Sequence, residues 1–222
     1  SYHGLGIASS TATGTGRGHF WHGVELAPGF IHIPSYYCYR CPFGKEHPSC
    51  GIECAKFLAT TIEKEGPEGV AAFIAEPMLG VGGTVKPPPE YWPMVREICN
   101  KYDVLLIADE VMTGFGRTGK MWGLENWGVT PDLMVMSKGI AGSFFPFAAV
   151  AVSDKVFDSL KGQEMPGFTY CGHPVGCAIA DKVLDIYVEE KVIENSAEVG
   201  KYLLERLNAE FKSLLCVDDI SE

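Results

Sequence analysis

The chain has 222 residues, of which 18 are Lys or Arg and 28 are Asp or Glu, giving a formal net charge of -10. Charged residues make up 21% and the hydrophobic set 46%, a balance that excludes a disordered or fibrous chain and leaves enough apolar side chain for a sizeable core. The acidic surplus argues against nucleic acid or an anionic membrane as partner, because both select for clustered Lys and Arg, and small-molecule substrates become the expectation.

Residues 1–55 are rich in Gly, Ser, Thr and Cys with little periodicity, and read as turns and loops framing short elements. A helix is expected over 54–64. Apolar runs over 70–75 and 104–108 read as strands buried on both faces, and apolar residues at helical spacing (Trp92, Val95, Ile98) put a helix over 89–101 between them. Further strands are expected over 132–136 and 147–152, then amphipathic helices over 174–189 and 194–215. Strands alternating with helical crossovers make an α/β fold, a mostly parallel sheet with helices on both faces and its site beyond the carboxyl ends of the strands. The longest apolar run, residues 144–152, is broken by Pro146 and falls far short of the roughly 18 residues a spanning helix needs, so no membrane association is expected. The eight cysteines read as reduced thiols of a cytoplasmic protein, since a chain of this size folds without disulfide staples.

Two strand ends carry chemistry. Residues 104–110 end in Asp109-Glu110, and residues 132–139 end in Ser137-Lys138-Gly139. A lysine in a dry crevice loses charge and becomes a nucleophile or base, and an acid at a neighbouring strand end would face it. Residues 114–120 follow the phosphate-loop pattern up to Lys120, but Met121 stands where a magnesium-holding hydroxyl belongs and the loop follows the Asp-Glu strand instead of preceding it, which excludes a nucleotide triphosphatase. The stretch 14–19 likewise misses the dinucleotide fingerprint, because His19 replaces its last glycine.

The segments Ala75-Glu76-Pro77, Ala108-Asp109-Glu110-Val111-Met112-Thr113-Gly114-Phe115-Gly116-Arg117-Thr118-Gly119, Met136-Ser137-Lys138-Gly139 and Phe168-Thr169-Tyr170-Cys171-Gly172-His173-Pro174 resemble, in order and spacing, the class III aminotransferases. These are pyridoxal 5'-phosphate (PLP) enzymes of fold type I. The resemblance implies that Lys138 carries the cofactor as a Schiff base and that Asp109 bonds the pyridinium nitrogen. It also implies that Tyr2 stacks on the ring, Val111 packs on its other face, Glu76 supports the ring-nitrogen network, and Thr169 reaches the cofactor phosphate of a neighbouring subunit in a homodimer. The implied reaction moves an amino group from an amine or ω-amino acid to a 2-oxo acid such as pyruvate or glyoxylate. An aminomutase or decarboxylase could use the same Lys138 and Asp109.

Two departures narrow this. Many relatives that use long diamines or 2-oxoglutarate carry a second Glu five residues after the Glu-Pro glutamate, where this chain has Val81, and Met112 replaces a Gln often found after Asp-Glu-Val. The chain opens at Ser1 without an initiator Met, and is expected to be the central part of a longer protein: residues 1–185 from the large cofactor domain and 186–222 from the start of the small domain. On its own it is expected to be incompetent. Cys38, Cys41, Cys50 and Cys54, with His47 among them, have a spacing that could hold zinc, so a non-catalytic zinc-binding module is the rival from another class. The expectation here is metal-free thiols.

Overall fold

The structure, a computed structural model, describes residues 1–14, 26–163, 167–217 and 220. The dinucleotide-like stretch 14–19 lies outside the described residues from position 15 on. The chain divides into two compact units, Ser1–Asp109 with Trp127–Leu133, and Glu110–Asn126 with Met134–Glu222. Four strands, β1 (Ala72–Ala75), β2 (Leu105–Asp109), β3 (Leu133–Met136) and β4 (Ala149–Val152), form one mostly parallel sheet in the order β1-β2-β3-β4.

In the first unit, α1 (Ile7–Ala12) is followed by α2 (Glu53–Glu65) and α3 (Tyr91–Tyr102). α2 buries Ala55, Leu58 and Ile62, three or four residues apart on one stripe, and packs on α3. It stops at Gly66, whose φ of 85° is open to glycine and costly for other residues. α3 buries Trp92, Val95, Ile98 and Cys99 and serves as the crossover between β1 and β2. Those strands pair in parallel, with Ala72 opposite Leu105 and Ala75 opposite Ala108. Asp132 accepts hydrogen bonds from the Leu106 amide and from Arg96 Nη1, both at 2.8 Å, and so ties β2 to α3. At the end of β1, Tyr36 Oη donates to the carbonyls of Glu76 (3.0 Å) and Pro77 (3.2 Å), and Trp92 Nε1 donates to the Pro77 carbonyl at 3.0 Å. The backbone of the Glu-Pro turn is thus held by buried aromatic donors.

In the second unit, a buried cluster of Phe115, Met136, Ile140, Ala141 and Ala180 forms the core. After α4 (Asp154–Ser159) come α5 (Pro174–Glu189) and α6 (Val192–Phe211). α5 starts with Pro at its first position and with His173 accepting from the Gly176 amide at 3.4 Å. The expected domain boundary at 185/186 falls within this helix.

Several expectations are corrected. The residues of β1 are half-buried throughout, where burial on both faces was expected, and β4 is mostly exposed. Among the residues of α6 none is buried: Val199, Tyr202, Leu203 and Phe211 are exposed, and Ile193, Leu204 and Leu207 are half-buried. The sequence pattern registered apolar content, which says that a segment needs a partner but not that the partner lies in these residues. No helix among the described residues is long and apolar enough to cross a membrane.

Candidate active site

Each unit holds one cluster of the residues singled out in the sequence. In the first, Glu76 follows β1 and is 2% exposed. Its Oε1 accepts from the Ser1 nitrogen (2.7 Å), Ser1 Oγ (2.6 Å) and the Tyr2 amide (3.0 Å), and its Oε2 accepts from the Gly80 amide at 2.8 Å. Burial raises this carboxyl, and the hydrogen bonds from Ser1 Oγ and the Gly80 amide work against that rise. Glu76 therefore acts as a clamp on the Ser1-Tyr2 backbone. It presents the Tyr2 ring, 37% exposed, at the surface of the unit.

Asp109 closes β2. Its Oδ2 lies 2.7 Å from Nδ1 of His3, and the two side chains are 9% and 6% exposed. The imidazole nitrogen can donate and the carboxyl oxygen can accept at this distance. The His3 amide in turn donates to Thr13 Oγ1 at 2.9 Å, and Thr13 Oγ1 donates to the Ser9 carbonyl at 2.8 Å, which fixes the turn that carries the imidazole. Tyr2, His3, Glu76 and Asp109 thus belong to one connected polar network. The sequence pattern missed His3, although it stands beside Tyr2. A histidine and an aspartate 106 positions apart carry no mutual signal in one sequence.

The neighbouring acid has a different fate. Glu110 is fully buried and accepts from Thr113 Oγ1 (2.5 Å) and the amides of Gly123 (2.8 Å) and Leu124 (3.0 Å). Burial raises its carboxyl despite these bonds. It caps the 3-10 turn Gly123–Trp127, a structural role. The glycine loop between them spends its amides internally: Gly114 donates to the Glu110 carbonyl (2.9 Å), Phe115 to Met121 (2.6 Å), Gly116 to Lys120 (3.1 Å) and Gly119 to Gly116 (3.0 Å). A phosphate loop needs such donors aimed outward, so the structure adds a third reason against nucleotide binding here.

Lys138 directly follows β3 and Ser137 and opens the 3-10 turn Lys138–Ala141 with φ at 48°, left-handed backbone that a non-glycine residue adopts at a cost of about 1 kcal/mol or more. The surroundings enforce it. Ser137 Oγ donates to the Phe147 carbonyl at 3.0 Å, Tyr187 Oη donates to the Gly139 carbonyl at 2.7 Å, and the Ser143 amide donates to the Lys138 carbonyl at 3.3 Å. A side chain at Gly139 would meet Phe115 at 2.7 Å, which is why glycine follows the lysine. The Lys138 side chain is exposed and its Nζ lies 2.7 Å from Sδ of Met112. The described residues do not enclose this lysine in the dry crevice expected for it. Val111 is half-buried and Thr169 exposed.

All eight cysteines are free. Cys38, Cys41, Cys50 and Cys54 line one small cavity with His47, but among the described residues no group of three or more His, Cys, Asp or Glu is arranged to hold a metal ion. Burial pushes the Cys54 thiol up to about 11.

The class III aminotransferase family model matches residues 1–221. A putrescine–pyruvate aminotransferase of Pseudomonas aeruginosa is 42% identical over 208 residues, covering 92% of this chain and 45% of its own length. A diaminobutyrate–2-oxoglutarate transaminase of Halomonas elongata is 41% identical over 218 residues, covering 95% of this chain and 46% of its own. An amine transaminase from an uncultivated Pseudomonas species, solved with PLP bound, superposes with a TM-score of 0.88 at 38% identity, covering 96% of this chain and 49% of that one. The chain spans about half the length of the relatives it matches. Matched from its first residue to its second-last, it belongs to the class III aminotransferases, a family of PLP enzymes.

Proposed function

We propose that the intact protein containing this chain is a PLP-dependent transaminase that moves an amino group from an amine or ω-amino acid to a small 2-oxo acid such as pyruvate or glyoxylate. The observation that carries the reading is the buried Asp109 carboxylate held by His3 at a strand end, within a chain matched by the family along its length. The residues present fit the cofactor's chemistry. Asp109 supplies a fixed negative charge for a protonated ring nitrogen, Tyr2 an exposed aromatic face for stacking, and Lys138 an exposed primary amine for an aldehyde carbon. Bound PLP supplies the electron sink that lets the substrate's carbon give up its proton.

In this reading the protein's own groups do three things. Asp109, oriented by His3 Nδ1, keeps a proton on the ring nitrogen. Lys138 Nζ would hold the cofactor and would supply the base and acid that take and return a proton at the substrate carbon. Glu76 fixes the backbone of Tyr2, so the stacking ring does not swing away. Val111 packs on the opposite ring face, and Thr169 donates its hydroxyl to the cofactor phosphate of a partner in a homodimer. Val81, exposed and apolar, offers no charge to pair with a carboxylate-binding arginine, which favours a monocarboxylate acceptor over 2-oxoglutarate. Residues 1–185 then belong to the large domain of a fold with helices on both sheet faces, and residues 186–222 open the small one. The free thiols suit a cytosolic location.

The reading is tested with Lys138→Ala in the intact protein. Loss of the visible cofactor band together with loss of alanine formation from pyruvate is the expected result. Turnover near the parent level would end it.

A further inference from the structure

The buried stripe of α5 runs through Gly176, Ala180 and Val183, three or four residues apart, and the next position on that stripe is Tyr187. The stripe lies over the turn that carries Lys138. α5 packs on residues 138–141, and a side chain at Gly142 would meet Val183 at 3.5 Å. Tyr187 reaches that turn in two ways. Its ring stacks on Phe115, with centroids 5.9 Å apart at 29°, while Phe115 itself packs on Gly139 and meets Trp122 edge-on at 4.9 Å. Its Oη donates to the Gly139 carbonyl at 2.7 Å. Burial pushes this hydroxyl above its ordinary value, so it remains a donor. Both contacts lie inside one compact unit.

We propose that Tyr187 is a positioning residue for Lys138, acting through the Gly139 carbonyl. The proposal rests on the reading of Lys138 as the lysine that holds the cofactor. Lys138 adopts a φ of 48°, a conformation that a non-glycine residue leaves unless its neighbours hold it. The Ser143 amide holds the Lys138 carbonyl at 3.3 Å, and Ser137 Oγ ties the approach to the turn to the Phe147 carbonyl at 3.0 Å. Tyr187 holds the next carbonyl along, from a helix 48 positions away. Removing its hydroxyl takes that donor from the Gly139 carbonyl, and the strained turn gains a route to an ordinary conformation. The Lys138 backbone then shifts, and the amine shifts with it. Such a displacement costs rate more than affinity, because the reacting atoms lose their alignment while substrate contacts elsewhere are intact. It has a spectroscopic consequence too. A nitrogen bonded to the cofactor shares electrons with the ring only when held in its plane, so a moved root alters the pH at which the visible band changes.

The test compares the intact, PLP-loaded protein with Tyr187→Phe, which keeps the stacking ring and removes only the hydroxyl. Ser196→Ala is the control for a structural loss, since it removes a hydrogen bond of the same 2.7 Å length to the Gly116 carbonyl. Tyr187→Phe should lower kcat about tenfold with KM nearly unchanged and shift the pH midpoint of the visible band by about half a unit. Amide hydrogen exchange in the peptide 137–143 should also quicken, with and without PLP bound. Ser196→Ala should lose comparable stability and show none of the three changes. Parent kcat and midpoint in Tyr187→Phe, or the same three changes in Ser196→Ala, would overturn the proposal. Borohydride mapping of the PLP-bearing lysine separates this failure from that of the underlying reading. A label on another lysine would sink the assignment of Lys138 and the proposal with it, whereas a label on Lys138 with unchanged kcat and midpoint would sink the role of Tyr187 alone.

Discussion

Asp109 and Lys138 close neighbouring segments of the sequence pattern in the same way, each at a strand end, yet their surroundings differ. The Asp109 carboxylate is buried against His3, and the backbone before His3 is clamped by Glu76 through three donors. The Lys138 backbone is equally constrained, but its amine is exposed beside the Met112 thioether. The contrast suits the roles proposed for the two residues. A charge that stabilises a fixed proton gains from being oriented in advance, because a preorganised dipole costs no rearrangement during reaction. An amine that leaves one carbon and moves protons between others gains from a fixed root and a loose tip.

The largest expected departure from this contrast is at Asp109. Asp109→Asn keeps the shape and removes the charge, and proton abstraction in single-turnover measurements should fall on the order of a thousandfold, with cofactor still bound. A near-normal rate would mean that the fixed half has been misread. His3→Phe should leave the fold intact and slow the same step about tenfold, together with a shift of the pH at which the bound cofactor's visible band changes. A purely structural His3 would lower stability and leave that pH untouched.

Glu110 sharpens the comparison from the other side, as an acid adjacent to Asp109 with no part in the chemistry. Glu110→Ala strands two buried amides and a hydroxyl and should cost on the order of 3 kcal/mol in denaturant unfolding. Because burial raises its carboxyl, the native state binds this proton more tightly than the unfolded chain. The stability it contributes is therefore present below the ordinary carboxyl value and lost as pH rises towards the raised one. Glu110→Gln should flatten that part of the stability profile. The smallest effect concerns the thiols: Cys54 and Cys99, both pushed up to about 11 by burial, should resist alkylation near pH 8 while exposed Cys171, Cys177 and Cys216 react. Rapid labelling of Cys54 would reopen the question of a reactive thiol cluster.

The strand-helix-strand core was legible in the sequence because its periodicities are local. The helix expected over 89–101 is found at Tyr91–Tyr102 and the strand over 104–108 at Leu105–Asp109. The separate fates of Asp109 and Glu110 were also within reach, since consecutive residues of an extended chain point to opposite faces. The exposure of β4 and α6 was not, because an apolar pattern cannot name the surface that covers it. His3 escaped for a related reason. Its importance lies in a contact across 106 positions of sequence, which folding creates and no local pattern records.

The most direct test of the central claim is chemical. The intact protein, loaded with PLP and reduced with borohydride, is digested and its peptides are mapped by mass spectrometry. The account predicts a single pyridoxyl-bearing lysine, Lys138, lost in Lys138→Ala. A label on any other lysine, or a label that survives in Lys138→Ala, would contradict it.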